Sequence, residues 1–333
     1  MLELSHALVQ AVAVLVLGAV VGHVKALTVA RVARHTTPKV EEFSDRVVPE
    51  PHLVAAASST RNSATTTVGR DTPVDRGQAG PDSVTDGAAP GPVPSGLSPT
   101  AGWVGTVLGR VALLVLTVAL GLRTIAVGHA PYSNQYEFAV AFSWGMLVAY
   151  AVAEYRYRVR TLALAVLPVV VAMLLYARAV GAEANPLMPA LQNRWLLTVH
   201  VAAAVLAYGA AAVAFGAAAL YLLRHRLTWR ALPSAEVLDD LGYRAAITAY
   251  PLMTVMLILG AVWADIAWGT YWNWDPKETA ALTTWLIYGG YLHARVARGW
   301  RGKRAAWLLV VGFVAVLFTY FGNLFFGGLH AYA

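Results

Sequence analysis

Eight apolar runs of about twenty residues each set the terms on which this chain can fold: 4–24, 103–127, 136–154, 161–180, 195–223, 246–266, 280–297 and 305–326. A helix rises about 1.5 Å per residue, so roughly twenty residues cross the ~30 Å hydrocarbon layer of a bilayer. Inside that layer every backbone N–H and C=O needs an internal partner, and an α-helix supplies one for each. The expected fold class is therefore an all-α polytopic membrane protein with about eight transmembrane helices. Composition agrees: 58% of residues are hydrophobic and 13% charged, with a mean hydropathy of +0.56, which is far from a soluble globular chain.

The cations collect between alternate runs, at Lys25, Arg31 and Arg34, in YRYRVR (155–160), in RHRLTWR (224–230) and in RVARGWRGKR (295–304). The positive-inside rule assigns these connections to the cytoplasm, which leaves both termini external. Cations scattered in this way form no basic stripe for a phosphate backbone, so nucleic acid is not an expected partner. The chain has no cysteine, which excludes thiolate ligation, iron–sulfur clusters and disulfides within it. It also lacks a G-x-x-x-x-G-K-S/T string, so nucleotide hydrolysis is not expected to drive it. The first run is long and has no basic leader ahead of it, and it reads as a retained span.

Three regions follow: a first transmembrane helix at 1–34, a linker at 35–101 and a seven-helix membrane domain at 102–333. The linker turns abruptly to Ser, Thr, Pro, Gly, Asp and Ala, with Phe43 as its only aromatic residue. It has too little apolar area to offset chain entropy, so it is expected to be disordered and cytoplasmic.

Residues 265–279, DIAWGTYWNWDPKET, break the apolar pattern. Trp263, Trp268, Trp272 and Trp274 crowd together here, although the whole chain holds only eleven tryptophans. Close-set indole rings suit a large planar apolar ligand, and Asn273, Asp275 and the amides beside Pro276 suit its polar edge. The competing reading is an interfacial anchor, since tryptophan favours the headgroup zone. The topology puts this segment outside, together with His200 near the start of the fifth run and His330 at the end of the chain.

The string WGTYWNWDPKET, followed by TTWLIYGGYLHAR, closely resembles the tryptophan-rich "WWD" signature of haem-handling proteins of cytochrome c biogenesis, and within them the CcsA (ResC) type of system II. HAPYSNQYEFAVAFSW (129–144) and LQNRWLLTVH (191–200) resemble further segments of that family. The resemblance implies a haem-binding subunit of a cytochrome c haem lyase (synthase) complex. Such a subunit brings haem b to the external face and presents it for covalent attachment to the Cys-x-x-Cys-His motif of apocytochrome c. It acts with a CcsB/ResB-type membrane partner and a thiol-reducing thioredoxin-like protein.

Two neutral imidazoles on one side of the membrane can fill both axial positions of a haem iron, and His200 and His330 are the candidates. Trp268, Trp272, Trp274, Asp275 and Glu278 are the expected haem-contacting residues of the WWD segment. The resemblance gives His293, in the seventh run, the role of holding haem within the membrane on its way from the cytoplasmic side. Its second ligand would come from the partner, or from His23 within the chain. Arg123, Arg194 and Lys277 all remain candidates for the haem propionates. Glu137 opens the third run, where a carboxylate calls for a partner or a wet cavity.

Two other readings stay open. One is a CcmC-like chaperone that passes haem on without forming a covalent bond. The other is a proton-coupled small-solute transporter with Glu137, Asp265 and His293 as its relay. The Ala, Val and Arg usage points to a multi-pass protein of a bacterial plasma membrane, and a thylakoid homologue would share the same motifs.

Overall fold

Apolar runs become helices because nothing inside them competes for the backbone. The computed structural model describes residues 1–35, 99–184, 191, 192, 194–227, 232–322 and 325–330. The expected linker, apart from its two ends, lies outside these residues. The helices are α1 (Leu2–His35), α2 (Pro99–Val127), α3 (Gln135–Tyr157), α4 (Ala163–Val180), α5 (Arg194–Leu223), α6 (Ala235–Trp268), α7 (Pro276–Arg298) and α8 (Lys303–Phe321), with a 3₁₀ turn at Arg160–Leu162 before α4. The described residues contain no strand.

Seven of the eight helices are long and apolar enough to cross a membrane, and α7 is the exception. Its composition explains this: Lys277 and Glu278 stand in its first turn, Thr279, Thr283 and Thr284 follow, and Arg295 and Arg298 close it. It nevertheless runs the length of the bundle. Asp275, its N-cap, bonds to Leu329 and His330 beyond the end of α8, while Arg295 near its other end pairs with Asp239 at the start of α6.

Helix α5 is the hub, packing on α3, α6 and α8, while α1 lies on α2 and α4 and α7 on α8 and α6. It can be the hub because it is built largely from alanine and glycine, and small residues let helix backbones approach closely in a membrane. The α3–α5 crossing shows how closely. A Cβ on Gly145 would strike the Val205 carbonyl, and one on Gly209 would strike the Gly145 carbonyl.

The end of the bundle that carries the α6–α7 connection also holds the start of α1, the start of α3 and the end of α8. There His6 Nδ1 lies 3.4 Å from the Tyr136 hydroxyl, and the Tyr320 hydroxyl donates to the Gln135 carbonyl at 3.2 Å. Asn134 caps α3 by accepting from the Glu137 amide at 2.9 Å.

Candidate functional site

The WNWDPKE string is first of all a helix start. Gly269 ends α6 in the left-handed conformation (φ 77°), a short connection follows, and Asp275 then caps α7 with Pro276 in the first turn. Asp275 and Glu278 form a capping box: Asp275 Oδ1 accepts from the Lys277 amide at 3.0 Å, and Glu278 Oε2 accepts from the Asp275 amide at 3.3 Å and the Asn273 amide at 2.9 Å. Trp274 makes the reversal with φ at 56°, a strained value for a bulky residue, and its ring stands edge-on to Trp272.

This capped start holds the end of the chain. Asp275 Oδ2 accepts from the Leu329 amide at 2.7 Å, and Oδ1 lies 2.8 Å from His330 Nδ1. Gly328 has to be a glycine here, because a Cβ would run into Asp275 Oδ2. Burial works to raise the Asp275 pKa, but His330 and the amides of Lys277 and Leu329 outweigh it and hold the carboxyl below its usual range. Burial and the nearby Lys277 lower the His330 imidazole to about 4 against the opposing pull of Asp275, so it is neutral at pH 7. A neutral ring that donates Nδ1–H to a carboxylate carries its lone pair on Nε2.

His200, on α5, is held in the same manner from a different side. Its Nδ1 lies 2.8 Å from the Met256 carbonyl of α6, which again puts the lone pair on Nε2. The ring rests in a berth made by Gly260, where a Cβ would sit 2.8 Å from His200 Cε1. Trp263, one turn further along α6, stacks nearly parallel to His200 with 6.4 Å between centroids, and its centroid is 5.6 Å from that of His330.

Both imidazoles line a single cavity. It holds roughly 1090 Å³ of open space, part of it continuous with the surroundings, and its wall includes Phe138, Phe142, Tyr208, Trp263, Trp272 and Tyr320. The donor set fits an iron porphyrin: two imidazoles with fixed tautomers face apolar and aromatic walls, and a carboxylate stands behind one of them, as behind many metal-bound histidines.

The cytochrome C assembly protein family model matches residues 132–330, well over half of the chain. The chain belongs to this family. It is similar to proteins named cytochrome c biogenesis protein CcsA. That of Guillardia theta is 37% identical over 250 residues, covering 67% of this chain and 83% of the relative. That of Gloeobacter violaceus is 35% identical over 294 residues (69% and 86%), and that of Microcystis aeruginosa 34% over 279 (67% and 85%). The chain is thus a multi-pass, CcsA-type cytochrome c biogenesis protein, and haem belongs to the business of its family.

Within this CcsA-type frame the expected site residues separate. His200, His330, Trp272 and Glu278 line the cavity. Asp275 stands behind His330, Trp268 packs edge-on to Trp263 one layer back, and Trp274 is 70% exposed. His293 lies far from the cavity, exposed on α7 and with no hydrogen-bond partner among the described residues. His23 is buried beside Gly105 of α2 and Tyr150 of α3, so the chain does not bring it to His293.

Arg123 is committed elsewhere. It donates to Glu137 Oε1 at 2.8 Å and to the Ala182 and Glu183 carbonyls at 2.9 and 3.2 Å, and it does not reach the cavity wall. Glu137 thereby has its partner, reinforced by the Ser133 amide and hydroxyl. This buried pair ties the α2–α3 connection to the end of α4, and His293 lies remote from it and exposed. The Arg194 side chain lies outside the described residues. Sequence reasoning missed Gly260, Met256 and Gln135 as site residues, because each acts through helix packing that no local motif reports.

Proposed function

We propose that this protein is the haem-holding component of a cytochrome c synthase, in which His200 and His330 are the two axial ligands of haem b held at the outer face. The observation that carries this reading is the shared cavity, where two imidazoles from distant parts of the chain each have Nδ1 tied to an acceptor and the lone pair on Nε2. Haem is the cargo, and its two vinyl groups are what the cysteines of a Cys-x-x-Cys-His motif react with. Each thiol adds across a vinyl group, sulfur to one carbon and hydrogen to the other, with no net oxidation.

The chain's own part is to bind and orient. Asp275 and the Met256 carbonyl set the tautomers, the aromatic wall excludes water from the macrocycle, and the opening lets the apoprotein approach. The histidine of the client motif replaces His200 or His330 when the product leaves. A CcsB/ResB-type partner completes the complex, a thioredoxin-like protein keeps the client thiols reduced, and His293 takes its second ligand from that partner.

The test is His200→Gly and His330→Gly in the full complex. Each should abolish holocytochrome c and regain part of it with added imidazole. Normal maturation by both variants would refute the axial assignment.

A further inference from the structure

Lys277 is the one Lys or Arg among the described residues lining the cavity. Its Nζ lies 5.1 Å over the centre of the Phe138 ring. Among the described residues no carboxylate comes within ion-pairing distance of it and no hydrogen-bond acceptor reaches it. An ammonium carries three donors, and taking it out of water without a counter-ion is unfavourable by more than a ring face returns. Burial lowers Lys277 to about 8, with Asp275 pulling the other way, so the group is still mainly protonated at pH 7.

The other charge on the wall is Glu278, the next residue along the same helix turn. Its Oε2 is taken by the Asn273 and Asp275 amides, and its Oε1 has no partner among the described residues. Gln135, one turn before Phe138 on α3, brings an amide to the same end of the cavity. Its Oε1 accepts from the Tyr176 hydroxyl at 3.4 Å. A cation without a counter-ion and a neighbouring amide donor make an anion-reading pair, and the anions that a planar ligand offers at its edge are carboxylates.

We infer that Lys277, supported by Gln135, is a carboxylate-reading subsite that sets which porphyrins the cavity accepts. It selects those with free acid side chains and turns the macrocycle so that its acidic edge meets α3 and the start of α7. This rests on the cavity being the haem site.

The experiment uses the full chain with its membrane partner, titrated with haem and with haem dimethyl ester and followed by absorbance. Iron-free protoporphyrin IX and its dimethyl ester are titrated in parallel, followed by quenching of tryptophan fluorescence, which needs no axial ligand. The unaltered protein should prefer the free acids by about tenfold or more, the scale of one charge-assisted hydrogen bond. Lys277→Met should bring the ratio near one while bound haem keeps its two-imidazole spectrum, and Lys277→Arg should keep the preference. A Met variant with undiminished preference for the acids overturns the assignment of Lys277. An unaltered protein that takes up neither porphyrin overturns the cavity reading beneath it.

Discussion

The two cavity histidines and His293, toward opposite ends of the bundle, are held in opposite ways. At the end where α6 meets α7, His200 and His330 are each braced by a hydrogen bond at Nδ1, packed near Trp263 and turned onto a common cavity. At the other end the polar groups around Arg295 are braced but His293 is not. Arg295 pairs with Asp239 and lies 4.9 Å over the Tyr243 ring, and Asp239 also accepts from the Gly302 amide at 3.0 Å, while His293 two residues earlier faces outward. The chain itself braces the two cavity histidines, whereas His293 has no brace among the described residues. A ligand histidine held from behind has its orientation set before the metal arrives, whereas an exposed one must be oriented by a partner.

The widest separation between the two ends should come from the ligands themselves. His200→Gly or His330→Gly should remove the haem absorbance of the cavity end and recover it with imidazole, while His293→Gly should leave the absorbance of that end intact in protein already loaded; spectra of the three purified complexes check this. Next in size is Asp275→Ala, which takes away the brace of His330 and the cap of α7 together. Loss of such a brace costs about 10–100-fold in metal affinity, so haem retention should fall by that order while His200→Gly falls further. Comparison with Asp275→Asn, which keeps a cap but weakens the acceptor, separates the two contributions.

Gly260→Ala is a smaller lever, because its new methyl meets the His200 ring edge at 2.8 Å and must tilt it. A several-fold rise in haem off-rate is expected, and Gly290→Ala on the open face of α7 is the control that should change nothing. Arg123→Leu should leave the absorbance of the surviving protein unchanged. It strands a buried carboxylate, however, and should destabilise the fold by about 3–5 kcal/mol, measured as a shift of the denaturation midpoint, with Glu137→Leu in the same chain recovering most of it.

How far the sequence could be read follows from the range of the interactions involved. Span positions were legible because hydrophobic run length is a local property, and α7 was harder because its polar residues are satisfied by capping and by partners on α6 and beyond α8. The tryptophan cluster and His200 were legible from spacing and motif. Asp275 was read as a ligand contact although Asp-Pro-x-Glu is also a capping-box string, and its hold on His330 spans 55 residues that no local pattern reports. Gly260 carried no signal at all, since an isolated glycine in an apolar helix says nothing about which ring will rest on it.

The most direct measurement is the low-temperature electron paramagnetic resonance spectrum of ferric haem in the full complex, with and without His330→Gly. Two neutral imidazoles on one iron give a low-spin signal, and the variant should convert it to a high-spin signal that exogenous imidazole reverses. A low-spin signal that survives unchanged in His330→Gly and in His200→Gly would contradict the shared-cavity assignment.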